Sequence, residues 1–393
     1  MFKKILSLVL VVAMTLSLGL ALGSCGDEGD EFKIGFICLH DENSTYDKNF
    51  LNAVDAVKES LGLSDSQVIV KKNIPESDAC YEAAADLVDQ GCDVIFANSF
   101  GHEDFMLQAA KEFTDVQFCH ATGYKAALNP DVTNYQNAFA HIYQGRYLAG
   151  VAAGLKLNEM IAAGEFTAEE AKIGYVGAYT YAEVISGYTS FYLGAKSVCP
   201  TVTMDVQFTG SWFDLVEENN AAKALLARDC KLISQHADSM GAPSACEEAG
   251  VPNISYNGST VAVCPNTFII SSAINWAPYY EYIIDCVKNG KDIDTNWCGG
   301  IEQGSVVLSE INEAAAAAGT ADAIATVKAK LLDGSVKVFD CSTFTVNGQA
   351  LTEADNTNVK TENGVTYFAE SVAQSAPMFE YRIDGITLVN EKY

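Results

Sequence analysis

Basic residues are scarce. The 393-residue chain carries 24 lysines and arginines against 51 aspartates and glutamates, a formal charge of −27. Such a surface repels phosphate backbones, which sets nucleic-acid binding aside and leaves solubility as the plain reading of the acidity. Cysteine is plentiful at 12, yet no C-x-x-C and no Cys/His ligand spacing occurs, so no metal site is expected. Neither α/β half opens with G-x-G-x-x-G, and G-K-[ST] is absent, which leaves dinucleotide and P-loop sites without support. There is no G-x-S-x-G elbow. Ser239, His236 and Asp238 make a triad only on paper, because neighbours on one loop rarely reach triad geometry. The chain is therefore read as a binding protein with no cofactor, not an enzyme. No linker rich in Pro, Gly or Ser separates its halves.

What is present begins at the N-terminus. Lys3 and Lys4 precede an uncharged stretch, 5–20, followed by small residues. That order reads as a secretory signal peptide, 1–24, and the apolar run is short for a bilayer span. Leu22-Gly23-Ser24-Cys25 resembles a bacterial lipobox, in which Cys25 is lipidated and becomes the new N-terminus. Several acyl chains anchor stably where one does not. Residues 25–31, acidic and glycine-containing, then form a tether. The expected location is the outer face of the cytoplasmic membrane, or the periplasm where an outer membrane exists. Loss of Lys3 and Lys4 takes the charge from −27 to −29. An odd number of cysteines remains once Cys25 is taken, so at least one thiol is free. Several sit in apolar strand patterns, as in Ile37-Cys38 and Phe118-Cys119, where cysteine behaves as a small hydrophobe, and most are read as reduced and buried.

From residue 32 strands and helices alternate: an apolar strand at 32–39, a helix at 48–62 closed by glycine, then strand, helix, strand, helix and strand to "VQFCHATGY". The pattern restarts at "AKIGYVGAY", after a long helix. Repeated βα units imply parallel sheets wrapped by helices, and about 150 residues per domain suggests two lobes. An alanine-rich helix is expected at 311–332. The tail, 334–393, reads as strands and turns ("SVKVFD", "STFTVNGQA", "VTYFA", "FEYRIDGITLV"), with Asn347-Gly348 and Asn363-Gly364 as hairpin signals.

Ligands of open α/β sheets bind beyond the carboxyl ends of strands. The loops there read "HDENSTYDKNF", "NSFGHED", "YTYAEVISG", "GSWFD" and "QHADS". Each mixes aromatics, amides and carboxylates, which suits a small, flat, polar solute stacked on rings. Competing structural roles exist for several of these residues. Asp41, Asp47 and Asp104 suit helix caps, His102 and His236 suit satisfied turn positions, Trp212 and Trp276 suit lobe packing, and Tyr279 and Tyr280 suit the core.

"SFGHEDFM", "HATGY", "YQGRYLAGVAAG", "IGYVGAY", "AEVISGYTSFYLGA", "GSWFD", "QHADS" and "NWAPYY" follow one another in an order that resembles the basic membrane protein (BMP) family, over 32–309. These are lipid-anchored substrate-binding proteins of ABC transporters, and they include purine nucleoside and nucleobase binders. The resemblance implies an α/β fold of two Rossmann-like lobes, the type I periplasmic-binding-protein fold. It implies a ligand cleft between the lobes and three crossings, near 134–144, 272–278 and 301–308. Lobe 1 is expected to take 32–136 and 275–303. Lobe 2 takes 137–274 and 304–393, with 334–393 a β-rich extension. The implied ligand residues are Asp41 as first acidic contact and Tyr46 or Phe50 as one ring of a clamp. Trp212 is the other ring, Ser99, Glu183 and Asp238 read the rest of the base edge, and Phe100 is a further ligand-binding residue. Family members that hold a ribose have S-x-x-K on the returning strand and aspartates in a preceding turn. Here the strand reads "SAIN" and the turn "SYNGST". Asn275 in place of lysine, with bulky Trp276 beside it, favours a nucleobase over a nucleoside. The expected partners are a purine-like solute, ABC permease and ATPase subunits, and the membrane through the lipid anchor, with the chain a monomer. Another small aromatic or vitamin-like solute, or a surface sensor or adhesin without transport, is the alternative.

Overall fold

The computed structural model describes residues 31–391. The leader and Cys25 lie outside the described residues. The first half runs β1 (Ile34–Ile37), α1 (Thr45–Leu61), β2 (Val68–Lys71), α2 (Asp78–Asp89), β3 (Val94–Ala97), α3 (Glu103–Glu112), β4 (Gln117–Ala121) and β5 (Tyr135–Ala140). The second half runs α4 (Ile142–Ala162), β6 (Lys172–Gly177), α5 (Ala182–Lys196), β7 (Thr203–Phe208), α6 (Leu215–Leu226), β8 (Leu232–His236), α7 (Gly241–Ala249), β9 (Asn253–Tyr256) and β10 (Phe268–Ile274). Then come α8 (Ala277–Lys288), β11 (Asn296–Gly299), β12 (Val306–Leu308), α9 (Thr320–Leu332), β13 (Val359–Glu362), β14 (Val365–Phe368) and β15 (Ile386–Leu388).

Two sheets result. The first has the order β11-β5-β4-β3-β1-β2, and the second β12-β10-β9-β8-β6-β7-β15. Within these two sheets every pairing is parallel except β12 against β10, and β13 and β14 form a separate antiparallel pair. The chain leaves the first sheet after β5, returns to it for β11 after β10, and leaves again for β12. β5 carries the first sheet to Ala140, past the limit expected at 136.

Local chemistry explains the starts and stops. Ser44 Oγ accepts from Asp47 N at 3.1 Å and caps α1. Gly62, with φ of 65°, ends that helix in the left-handed region. Between α4 and α5 the backbones nearly touch. A Cβ on Gly150 would sit 2.0 Å from Phe191 O, and one on Gly194 would sit 2.0 Å from Tyr147 O. Only glycine fits these crossings, which explains the small residues of "LAGVAAG" and "FYLGA".

The eleven described cysteines are free, ten of them buried and Cys298 half-buried. Burial pushes thiols such as Cys119 and Cys80 up to about 12, which makes them poor nucleophiles at neutral pH. Titration of unfolded protein is expected to count these eleven thiols as reduced; five intact disulfides would contradict this.

Two sequence expectations need correction. The alanine-rich helix starts at Thr320, where Gly319 with φ of 79° breaks the chain, and 311–319 forms turns. The tail is turn-rich, not β-rich. "SVKVFD" and "STFTVNGQA" form only isolated bridges, Asp340 to Tyr367 and Val346 to Gln349. Alternation is a local pattern, and a strand also needs a neighbouring edge to pair with. The hairpin at Asn363-Gly364 does form, with φ of 51° and 81° joining β13 to β14. β15 adds to the second sheet beside β7.

Candidate functional site

A cavity lies between the two sheets, walled by Leu39, His40, Tyr46, Asp47, Ser99, Phe100, Thr122, Glu183, Trp212, His236, Asp238 and Tyr256. These residues stand at or just beyond the carboxyl ends of β1, β3, β4, β6, β7, β8 and β9, or on the first turn of the following helix. The free space is narrow, about 20 Å³. Contacts close the lobes over it. Thr45 N and Oγ1 donate to Asp238 O at 3.0 and 3.1 Å. Asn49 Nδ2 donates to Asn257 Oδ1 at 3.2 Å, and Phe100 stacks on Tyr181 at 5.0 Å.

Tyr46, Ser99, Phe100, Glu183, Trp212 and Asp238 of the sequence-derived set converge here. Tyr46 Oη donates to Asn98 O at 2.6 Å, which fixes the ring. Trp212 packs edge-on against Tyr179 at 5.1 Å, and its carbonyl accepts from Asp238 N at 2.9 Å. Ser99 spends its hydroxyl on Glu76 Oε1 at 2.6 Å.

The other four do not reach the cavity. Asp41 is turned outward: one carboxylate oxygen accepts from Asn43 N and Nδ2 at 3.0 and 2.8 Å, and the other from Asn73. Phe50 is 1% exposed and stacks on Trp276 at 4.6 Å; Trp276, equally buried, also packs on Phe96 and Tyr279. Both belong to the core, so Trp276 adds no bulk to the site. Asn275 bonds to Gly304 O at 3.2 Å and caps Ala277 N at 3.1 Å. The wall residues that the sequence reading left out are Leu39, His40, Asp47, Thr122, His236 and Tyr256.

Asp47 takes the place expected for Asp41. Burial alone would raise its carboxyl, but hydrogen bonds from His40 and Asn98 outweigh it and hold the group below its usual range. Asn98 Nδ2 donates to Oδ1 at 2.7 Å and His40 N at 3.0 Å, while buried Oδ2 has no hydrogen-bond partner. Asp238 is different. Burial, then the charges of Glu218 and Asp47, drive its carboxyl well above the ordinary value. His236 is 2% exposed, and burial lowers its imidazole. His102 bonds through Nε2 to Ile74 O at 2.9 Å, while its buried Nδ1 has no hydrogen-bond partner, so the expectation of a satisfied residue holds for one ring nitrogen only.

The wall thus offers rings, a carboxylate held low in Asp47 and a carboxyl pushed toward its protonated form in Asp238. No lysine or arginine lines it. A phosphorylated solute would meet carboxylates without a counter-charge, so the site suits an uncharged or weakly basic molecule rich in N–H donors. Among the described residues no cluster of metal-ligating side chains occurs, and no helix is long and apolar enough to cross a membrane.

Over 294 residues the chain is 31% identical to a purine-binding protein of Brucella abortus, covering 74% of this chain and 79% of that one. Over 219 residues it is 34% identical to a Haloferax volcanii protein named for ABC transporter glucose binding, covering 56% of this chain and about half, 52%, of that one. A solved solute-binding protein of an ABC transporter system from Conexibacter woesei superposes with a TM-score of 0.62 at 18% identity, over 78% of this chain and 98% of that one. That last likeness shows the fold, the two-lobed α/β architecture of type I periplasmic binding proteins. Substrate-binding proteins of ABC transporters work outside the cytoplasm, bind a small molecule and partner with a permease and an ATPase. Residues 37–337 match the family described as ABC transporter substrate-binding protein PnrA-like, and the chain belongs to that Bmp family of ABC transporter substrate-binding proteins.

Proposed function

We propose that this protein captures a purine, and prefers the free nucleobase to the nucleoside. One observation carries the reading: a slit between two lobes whose walls combine the rings of Tyr46, Phe100 and Trp212 with the carboxyl groups of Asp47, Glu183 and Asp238. Planar heterocycles stack on such rings, and their N–H groups pair with carboxyl oxygens. The purine-binding relative in Brucella abortus supports the same class. The turn "SYNGST" carries no carboxylate, which leaves a ribose without a strong acceptor there and supports the base. Calorimetric titration of ligand-free protein with adenine, guanine, hypoxanthine, adenosine and inosine tests the preference. At least one free base should bind tightest; adenosine or inosine binding tighter than every base overturns it.

Capture works by lobe closure. A solute touching both lobes favours the closed state by the contacts it makes only there. The lobes are taken as 32–140 with 275–303, and 141–274 with 304–393, the first boundary moved from 136 to keep β5 whole, and the protein acts as a monomer. Cys25 carries the lipid that holds it to the membrane near its permease. Cys25→Ser is expected to leave the precursor uncleaved by lipoprotein signal peptidase and without lipid label; normal labelling would refute the anchor.

A further inference from the structure

Arg146 lies in "YQGRYLAGVAAG" and is fully buried on α4. Its guanidinium sits 4.7 Å from the ring centre of Tyr256, a cavity wall. Nη2 donates to Gln235 O at 3.0 Å and to the hydroxyl of Tyr175. Arginine has only donors, so Tyr175 Oη must accept there and its own proton is left for another partner. His236 Nδ1 stands 3.5 Å from that oxygen. It is pinned from behind as well: a Cβ on Gly187 would lie 2.5 Å from Nδ1. The neutral imidazole then carries its proton on Nε2. Nε2 is buried, has no hydrogen-bond partner and lies 3.5 Å from Glu183 Oε1, both residues being cavity wall.

The geometry points to His236 Nε2–H as a specificity-determining donor to the solute, with Arg146 and Tyr175 as the positioning residues that fix its tautomer. Paired with Glu183, it matches a ligand edge on which an acceptor stands next to a donor. Adenine presents such an edge in N7 and the 6-amino group. The choice of edge rests on the purine reading above; the tautomer does not.

The test uses ligand-free full-length protein with ¹⁵N-labelled histidine. The expected His236 pattern is a protonated Nε2 and a bare Nδ1 at neutral pH. A protonated Nδ1, or an imidazolium, overturns the proposal whatever the protein binds. In Tyr175→Phe, which keeps the ring and removes only the hydroxyl, the Nδ1 resonance should move and adenine binding should weaken about threefold. His236→Phe, which removes the donor and keeps an aromatic wall, should cost about tenfold. Unsubstituted purine, lacking the 6-amino donor, should lose most of the sensitivity to Glu183→Gln that adenine shows. An unchanged Nδ1 resonance in Tyr175→Phe, or unchanged adenine affinity in His236→Phe, contradicts the assignment. If Nε2 is protonated as expected but no purine binds at all, the purine reading falls and the histidine remains a donor to a solute of another class.

Discussion

Trp212→Ala is expected to weaken adenine binding about tenfold to a hundredfold. Trp212 is half-buried on the loop after β7, lines the cavity, and is braced edge-on by Tyr179 at 5.1 Å. A base stacked on one aromatic ring is worth about 1–3 kcal/mol by alanine substitution, and about 1.4 kcal/mol corresponds to a decade in affinity. The backbone tie from Asp238 N to Trp212 O, at 2.9 Å, survives the substitution, so the loop keeps its path. Calorimetry reads the effect, and a parallel melting curve separates it from lost packing. Unchanged affinity would make the indole a packing residue of the second lobe.

Glu218→Gln is expected to change how stability depends on pH. Glu218 is fully buried on α6 under the site, where its carboxyl accepts from Asp214 N at 3.1 Å and Ser239 N at 3.2 Å. Burial outweighs these bonds and raises its pKa from 4.5 to about 7. The folded state then binds a proton that the unfolded state has already released. Stability from this group falls as pH rises through the window from 4.5 to about 7, and the loss is complete above it. At 1.36 kcal/mol per pH unit, that gap corresponds to a loss of about 3 kcal/mol. Glutamine keeps an acceptor for Ser239 N or Asp214 N and does not titrate. Melting temperature of the variant minus that of the parent should therefore climb from pH 5 to pH 8. A difference that stays flat across that range contradicts the assignment.

The alternation of apolar strands and amphipathic helices was enough to read the βα repeat and the restart after α4, because each element carries its own period and its own cap. Loop positions were legible for the same reason: a residue just past the end of a buried parallel strand must face the cleft or the helix that follows. Depth was not legible. Tyr46 and Phe50 stand one helical turn apart on α1, with ring centres 4.8 Å apart, yet the first meets the cavity and the second the core. Which acid points inward was hidden too. Asp41 and Asp47 share a loop-to-helix junction, and only the cap at Ser44, which sets the phase of α1, decides that Asp47 faces in. His236 looks like a turn residue in sequence; its role emerges from Arg146 and Tyr175, which come from distant segments. In the tail, "SVKVFD" and "STFTVNGQA" misled because they found no sheet edge, while β15 found one beside β7 and Asn363-Gly364 succeeded because a two-residue turn is a local event.

The most direct test of solute capture is native mass spectrometry of protein unfolded, freed of small molecules, refolded, and mixed with equal amounts of adenine and glucose. One adenine per chain, with no glucose adduct, is the predicted spectrum; a glucose adduct alone, or refolded protein with neither, would contradict the account.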